Sequence, residues 1–301
     1  MANTTYAFAK AVALTSYMPA FIDKSEKQSW DWEKIVTKKS TDGATEQIFS
    51  YAGLPVARKT GELGSIYYAD MKELGSTTFT VGKYTLATLF SHELLKDNRH
   101  IKSLFKDAGV SMGDSHAYIR DVHAAAPFNR AFQVAYPMFD AVELCGTHTM
   151  ASGDSFNNEL TTSSFTWDNI WSGINKFETS MLTQSGLFMK DTPKYVMYHP
   201  SKEKEWQAIK QSDLKPGTTD NTKNTLGSYN LVGISNRHLT TSTNWFILGS
   251  RFKDDYLWFD REKVQTATED SFDLMATKLR TYQRFASGVK NFTHIFGNVG
   301  A

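Results

Sequence analysis

The sequence is short of the features that announce an enzyme or a membrane protein. It has one cysteine, Cys145, so no disulfide can form within a single chain, and that usage fits a reducing compartment. No apolar run approaches the roughly 18 residues a membrane-spanning helix requires. Charge of neither sign dominates. The 33 Lys and Arg stand against 32 Asp and Glu, a net +1 that leaves no electrostatic footprint for tight nucleic-acid binding. The first residues, MANTTYAFAKAVALTSYMPAFIDK, have no basic group ahead of the apolar ones, and Lys10 and Thr15 interrupt them, so no signal peptide is expected. The sequons Asn3-Thr4-Thr5 and Asn291-Phe292-Thr293 then carry no meaning. P-loop, dinucleotide fingerprint and Gly-x-Ser-x-Gly elbow are all missing. At 41% hydrophobic and 22% charged, the composition is that of a soluble, intracellular globular protein of one large or two ordinary domains.

What is present is a long helical pattern. Ile101, Phe105, Ala108, Met112, Ser115, Ile119, Val122 and Ala126 are spaced by alternating steps of four and three, which draws one stripe along a helix. Lys102, Lys106, Asp107, Asp114, Arg120 and Asp121 fall on the other faces, where solvent is expected. From Asp97 to Ala126 such a helix would be about 45 Å long, at about 1.5 Å per residue. Gly109 and Gly113, one turn apart, imply close packing against another element, and Pro127 is expected to end or kink the helix.

Ahead of it, residues 1–45 sustain no period and read as an arm, with Tyr6, Phe8, Trp30 and Trp32 among polar runs. Leu63–Tyr68 and Ser76–Val81 look strand-like, the second continuing through Tyr84, Leu86 and Phe90 after a change of phase at Gly82-Lys83. The two strands predict a projecting hairpin. After the helix, Gly146 to Ser164 is the clearest loop. Thr166 can cap a helix burying Trp167, Ile170, Trp171, Ile174, Phe177, Met181 and Leu182. A strand at Lys194–His199, closed by Pro200, precedes a short helix opened by Ser201 and holding Trp206 and Ile209. Loop-like residues 213–228, with Asp220-Asn221, separate it from strands at Tyr229–Ser235, Asn244–Leu248 and Asp255–Phe259. Asp270–Ala286 fits a helix through Phe272, Met275, Leu279 and Tyr282, and equally a strand with Lys278, Arg280 and Arg284 on one face.

Candidate chemistry is sparse. His92-Glu93 begins like a zinc-protease helix, but Lys96 stands where the second histidine belongs. His116 and His123, seven apart with Asp121 nearby, lack a third ligand and read as surface histidines. Cys145 with His148 and Glu143 invites a cysteine hydrolase, although a catalytic pair normally comes from distant segments. Lys38-Lys39 and Arg58-Lys59 are solvated faces. No catalytic, cofactor-binding or metal residue is assigned and no cofactor is implied; the reading is a structural protein rather than an enzyme.

The order of pieces (arm, projecting hairpin, long helix, α/β middle, returning strand) resembles that of tailed-phage major capsid proteins with the Hong Kong 97 (HK97-like) fold, in particular the phage Mu-like head-subunit branch. Phe90-Ser91-His92-Glu93-Leu94-Leu95-Lys96-Asp97 resembles the lead into that family's spine helix. Gly153-Asp154-Ser155-Phe156-Asn157-Asn158-Glu159-Leu160 resembles the polar stretch after it. Pro193–Pro200, Leu231–Leu239 and Asn244-Trp245-Phe246 resemble strands of its axial domain. Tyr282–Val289 with Phe296-Gly297 resembles the closing strand and tail.

The resemblance implies an α+β, HK97-like fold: N-terminal arm 1–45, extended loop 46–90, spine helix and peripheral domain 91–145, axial domain 146–260, and return strand and tail 261–301. It makes Asp270–Ala286 a strand. It also implies the function, a major capsid protein that self-assembles through pentamers and hexamers into an icosahedral shell around double-stranded DNA, without sequence-specific binding or a membrane. The expected place is the virion, after assembly in the bacterial cytoplasm, with a separate scaffolding protein, a portal and a decoration protein as further partners. The alternative within the fold is an encapsulin-type nanocompartment. Lys59, Lys72 and Lys83 lie where some members crosslink, and no crosslink is claimed.

Overall fold

The computed structural model describes residues 15, 17–22, 24, 31–97, 100–160, 162–189, 191–217, 222–271 and 273–300. Tyr6, Phe8, Trp30, Phe272 and the Asp220-Asn221 pair lie outside them. After a 3-10 turn at Asp31–Ile35 come β1 (Thr37–Ser40), β2 (Thr45–Tyr51), β3 (Glu73–Thr80) and β4 (Gly82–Ser91), then α1 (His92–Asp97) and α2 (Ile101–Asn129). The middle of the chain holds β5 (Thr147–Thr149), β6 (Ser155–Asn157), β7 (Glu159–Leu160), α3 (Trp167–Thr179), β8 (Pro193–Tyr198), α4 (Glu203–Gln211), β9 (Val232–Ser235) and β10 (Trp245–Gly249). A short helix α5 (Phe252–Asp255) leads into β11 (Tyr256–Ser271), β12 (Ala276–Val289) and β13 (Ile295–Asn298).

Two sheets carry the fold. One has four strands in the order β1-β11-β12-β4, the other five in the order β7-β13-β10-β8-β9. The five-stranded sheet is buried along β10 and most of β8, where Val196, Met197, Trp245, Phe246, Ile247 and Leu248 pack against Ile170, Ile174 and Phe177 of α3. Strands covered on both faces read as continuous apolar runs, which is why these were visible in the sequence. β11 runs through residue 260, and β13, beyond it, joins the five-stranded sheet.

Helix α2 spans 29 residues, about 43 Å. It starts at Ile101 rather than Asp97, which instead ends α1. Pro127 does not end it, because Pro127 sits in the last turn and costs one N–H there. The His123 carbonyl that this N–H would have met accepts from the Ser287 hydroxyl at 3.4 Å. Gly109 does mark close packing: a Cβ there would stand 2.7 Å from the Tyr17 carbonyl oxygen.

The buried face of α2 is not the expected stripe. Phe105 and Met112 are buried, but Ser115 is exposed and the buried positions continue through His116, Ala117, Asp121, Ala124 and Phe128. Two polar residues on that face find partners far along the chain. His116 Nε2 meets the Thr281 hydroxyl at 2.7 Å, and the Trp32 indole donates to Asp121 Oδ1 at 2.8 Å. Each bond offsets part of the cost of burial, although His116 Nδ1 is buried without a hydrogen bond.

Other expectations change for equally local reasons. Leu63–Tyr68 is not a strand. β3 pairs instead with β2, Thr45 opposite Thr80 and Glu46 opposite Phe79, leaving residues 52–72 outside any strand. The phase change at Gly82-Lys83 marks the passage from that two-stranded ribbon into the four-stranded sheet, where β4 pairs with β12. The Gly146 to Ser164 loop contains β5, β6 and β7. Thr166 occupies the N-cap of α3 without a side-chain bond, and α3 ends at Thr179, short of Met181 and Leu182. Asp270–Ala286 is not one element: Asp270 and Ser271 end β11, residues 273–275 form a turn, and the strand reading holds from Ala276 onward. β12 is held on both sides by β11 and β4, and its alternate residues Leu279, Thr281, Gln283 and Phe285 are buried on the side of α2.

Candidate assembly surface

The segment between β2 and β3 stands apart from the core. The Ala52 N–H donates to the Lys72 carbonyl at 2.8 Å and closes its base. From residue 53 to residue 72 every residue except Ala69 is exposed. Leu54, Val56, Leu63, Ile66, Tyr68 and Met71 are all more than half exposed, and Leu63 is fully so. Leu63 also has a φ of 63°, a left-handed value that a leucine adopts at a cost. The two limbs are linked where the Arg58 guanidinium lies 3.8 Å over the Tyr67 ring. At its root the ribbon is fixed firmly: Phe79 packs on Phe259, ring centroids 5.3 Å apart, with Ile48, Leu257 and Ala286 around them. Exposed apolar residues above a packed root are the kind of surface that protein–protein contacts use.

A second such place is the tip of the β11–β12 hairpin. Leu274 and Met275 are about 60% exposed there, Met275 with a φ of 43°.

The candidate chemistry does not assemble into a site. Cys145 is buried, and burial, with Glu159 and Glu143 nearby, pushes its thiol well above the usual range, away from the nucleophilic thiolate. His148 serves another partner: its Nδ1 is 2.7 Å from Asp140 Oδ2, and its ring lies flat on Phe292 with centroids 3.5 Å apart. His116 and His123 are not surface histidines. They turn to different partners, Thr281 and Tyr84, the latter at 2.8 Å, and burial lowers the pKa of both, with Arg120 and Arg130 adding to the effect. Among the described residues no group of three or more His, Cys, Asp and Glu could hold a metal ion, and no helix is long and apolar enough to cross a membrane. Lys59 and Lys72 are exposed in the projecting segment, while Lys83 lies in β4, opposite Arg284 of β12.

A family profile described as phage capsid protein matches residues 73–298, three quarters of the chain. The chain belongs to the phage capsid protein family. No curated protein matches this capsid protein in sequence. A solved structure from Microbacterium phage Oxtober96 is 12% identical to it over 92% of both chains, with a TM-score of 0.57. The capsid of cyanophage P-SCSP1u is 12% identical, covering 91% of this chain and 89% of its own, with a TM-score of 0.61. A virus-like particle from Pyrococcus furiosus is 9% identical over 94% of this chain and 98% of its own, with a TM-score of 0.53. At such identities the likeness concerns the fold, and that fold is the HK97-like one, α+β. The family match makes the chain a major capsid protein, a structural subunit of a phage shell. The family match favours a phage head over the encapsulin-type alternative.

The sequence of this capsid protein does not single out the exposed apolar residues of the segment between β2 and β3. Leu54, Val56, Tyr67, Tyr68 and Met71 form no alternating pattern, and alternation is what a strand assignment rests on. The usable signal was apolar residues without a period, next to Arg58-Lys59 and Gly61.

Proposed function

We propose that this capsid protein closes its shell by laying the segment 52–72 over a neighbouring subunit. The exposed apolar residues of that segment carry the reading: Leu63, Ile66 and Tyr68 are 103%, 72% and 84% exposed in the isolated chain. Burying them against a second copy removes apolar surface from water at about 25 cal/mol per Å², and repetition around a closed lattice multiplies the gain. Stability then belongs to the assembly and depends on subunit concentration. In this reading residues 1–45 form the arm, 46–90 the extended loop, 91–145 the spine helix and peripheral domain, 146–260 the axial region that meets its copies around five- and six-fold axes, and 261–301 the return strand and tail. The shell encloses double-stranded DNA without gripping it, in keeping with a net charge of +1. A scaffolding protein, a portal and a decoration protein are further partners by family resemblance, as is assembly in the host cytoplasm, and no catalytic step is required of the subunit.

The structure sharpens the test. Removing residues 64–80 would also delete β3 and the Phe79 anchor, whereas replacing residues 54–70 with Asn-Gly leaves both strands and a two-residue turn. The variant should keep the circular dichroism and thermal midpoint of the unassembled chain yet give no closed particles by electron microscopy. Normal shells from it would overturn the assignment.

A further inference from the structure

Two of the connections between the main sheets, β10 to β11 and β12 to β13, meet at a buried cluster of charged groups. Asp191, just before β8, accepts from the Thr192 N–H at 2.8 Å, the Ser250 N–H at 3.1 Å and the Ser250 hydroxyl at 2.7 Å. Its other oxygen is 2.8 Å from His294 Nδ1. On the far side of the imidazole, His294 Nε2 is 3.7 Å from Asp255 Oδ2, and Lys290 Nζ is 3.6 Å from Asp255 Oδ1. Asp191, Asp255 and His294 are 5%, 4% and 7% exposed. Asp255 Oδ2 has no hydrogen bond. Only glycine at position 249 lets the end of β10 come so near, since a Cβ there would stand 1.8 Å from Asp191 Oδ2. The backbone ties the same segments together: the Gly249 N–H donates to the His294 carbonyl at 3.0 Å and the Lys290 N–H to the Asp255 carbonyl at 2.9 Å.

Two carboxylates and one ammonium leave a net negative charge in this enclosed place unless His294 or Asp255 holds one more proton. An uncompensated buried charge is costly, so the fold and that proton favour each other. We propose that the Asp191–His294–Asp255–Lys290 cluster is a proton-dependent clamp between the two sheets, tight with the extra proton bound and slack without it. The charged groups facing Asp255 are His294 and Lys290 from the β12–β13 connection and Asp254 on its own helix; Asp191 faces His294 from the other side. Burial pushes the Asp255 carboxyl up to about 6 against the pull of His294 and Lys290. Burial would raise Asp191 too, but His294 and Ser250 hold it below the usual carboxylate range, so the titration near neutrality falls to the Asp255 side. A carboxyl raised in the folded state contributes stability that is complete below its unfolded value near 4 and is lost as pH rises through about 6.

Hydrogen exchange of the full, unassembled chain, corrected for the intrinsic pH dependence of exchange, reads the clamp directly in peptides covering 249–256 and 290–297. Opening there should increase about tenfold between pH 5 and pH 8, the part that remains above pH 5 of the effect of a carboxyl held at about 6 rather than near 4. Asp255→Asn should abolish that slope. Lys290→Gln, at a partly exposed position that tolerates change, should move the transition to higher pH by removing the cation that favours ionised Asp255. Protection independent of pH in the native chain, or an unmoved transition in Lys290→Gln, would overturn the proposal.

Discussion

Asp121→Ala tests the tie between the N-terminal strap and the spine. Trp32 is 1% exposed, stacks on Trp258 with centroids 4.7 Å apart, and donates its indole N–H to Asp121 at 2.8 Å. A hydrogen bond to a charged acceptor contributes about 1.5–3 kcal/mol, and its removal here leaves a buried N–H without that acceptor. Against this, Ala is a better helix former than Asp by up to about 0.7 kcal/mol. The net expectation is a loss of about 2 kcal/mol. Asp121→Asn, which keeps an acceptor oxygen, should lose less than about 1 kcal/mol. Trp32→Phe preserves a ring on Trp258 but removes the indole donor from a carboxylate that is 8% exposed, and should cost about 3 kcal/mol. The double variant Asp121→Ala/Trp32→Phe should then fall short of the sum by about 1–2 kcal/mol. Urea denaturation of unassembled subunits, followed by tryptophan fluorescence, measures all four. Additivity within about 0.3 kcal/mol would show that the bond carries nothing, and an equal loss for Asn and Ala would show that the acceptor is irrelevant.

Gly109→Ala gains about 1 kcal/mol of helix propensity but forces a methyl to within 2.7 Å of the Tyr17 carbonyl, so a net loss of about 1–2 kcal/mol and faster proteolysis near Tyr17 are expected. Cys145 should resist thiol reagents in the folded chain and react on unfolding, and Cys145→Ala should cost about 1 kcal/mol while leaving particle morphology unchanged by electron microscopy. His116 and His123 are both held below their ordinary value by burial. Their contribution is therefore complete above about 6.5 and is lost as pH falls, opposite in sign to that of Asp255; His116→Gln should flatten the acid side of a stability–pH curve measured by denaturant midpoint.

The spine helix was legible in the sequence, but its orientation was not. A stripe drawn through apolar residues passes over His116 and Asp121, because nothing local announces that Thr281, 165 residues away, and Trp32, 89 residues away, will bond to them. Gly109 was the better witness, since a glycine in a helix has a cost that only a close neighbour explains. β12 stayed ambiguous because Leu279, Tyr282 and Ala286 fit a helix while Lys278, Arg280 and Arg284 fit a strand, and pairing on both edges decided between them. The buried strands β8 and β10 needed no such context, being apolar throughout.

The projection failed for a different reason. Pattern reading takes a cluster of apolar and aromatic residues as a strand, so Leu63–Tyr68 reads as one limb of the projecting hairpin, whereas residues 52–72 lie outside any strand. In the structure Leu63, Ile66 and Tyr68 face water, and the tip residues Leu274 and Met275 do the same at the end of the longest hairpin. An isolated domain would be penalised for both, by aggregation if not by stability. In the proposed lattice a shell subunit would not be, because other copies would supply the burial those residues require. The residues that made the fold hard to read within one chain are therefore those by which a lattice reading is tested, and the core residues, which read easily, say only that the subunit folds.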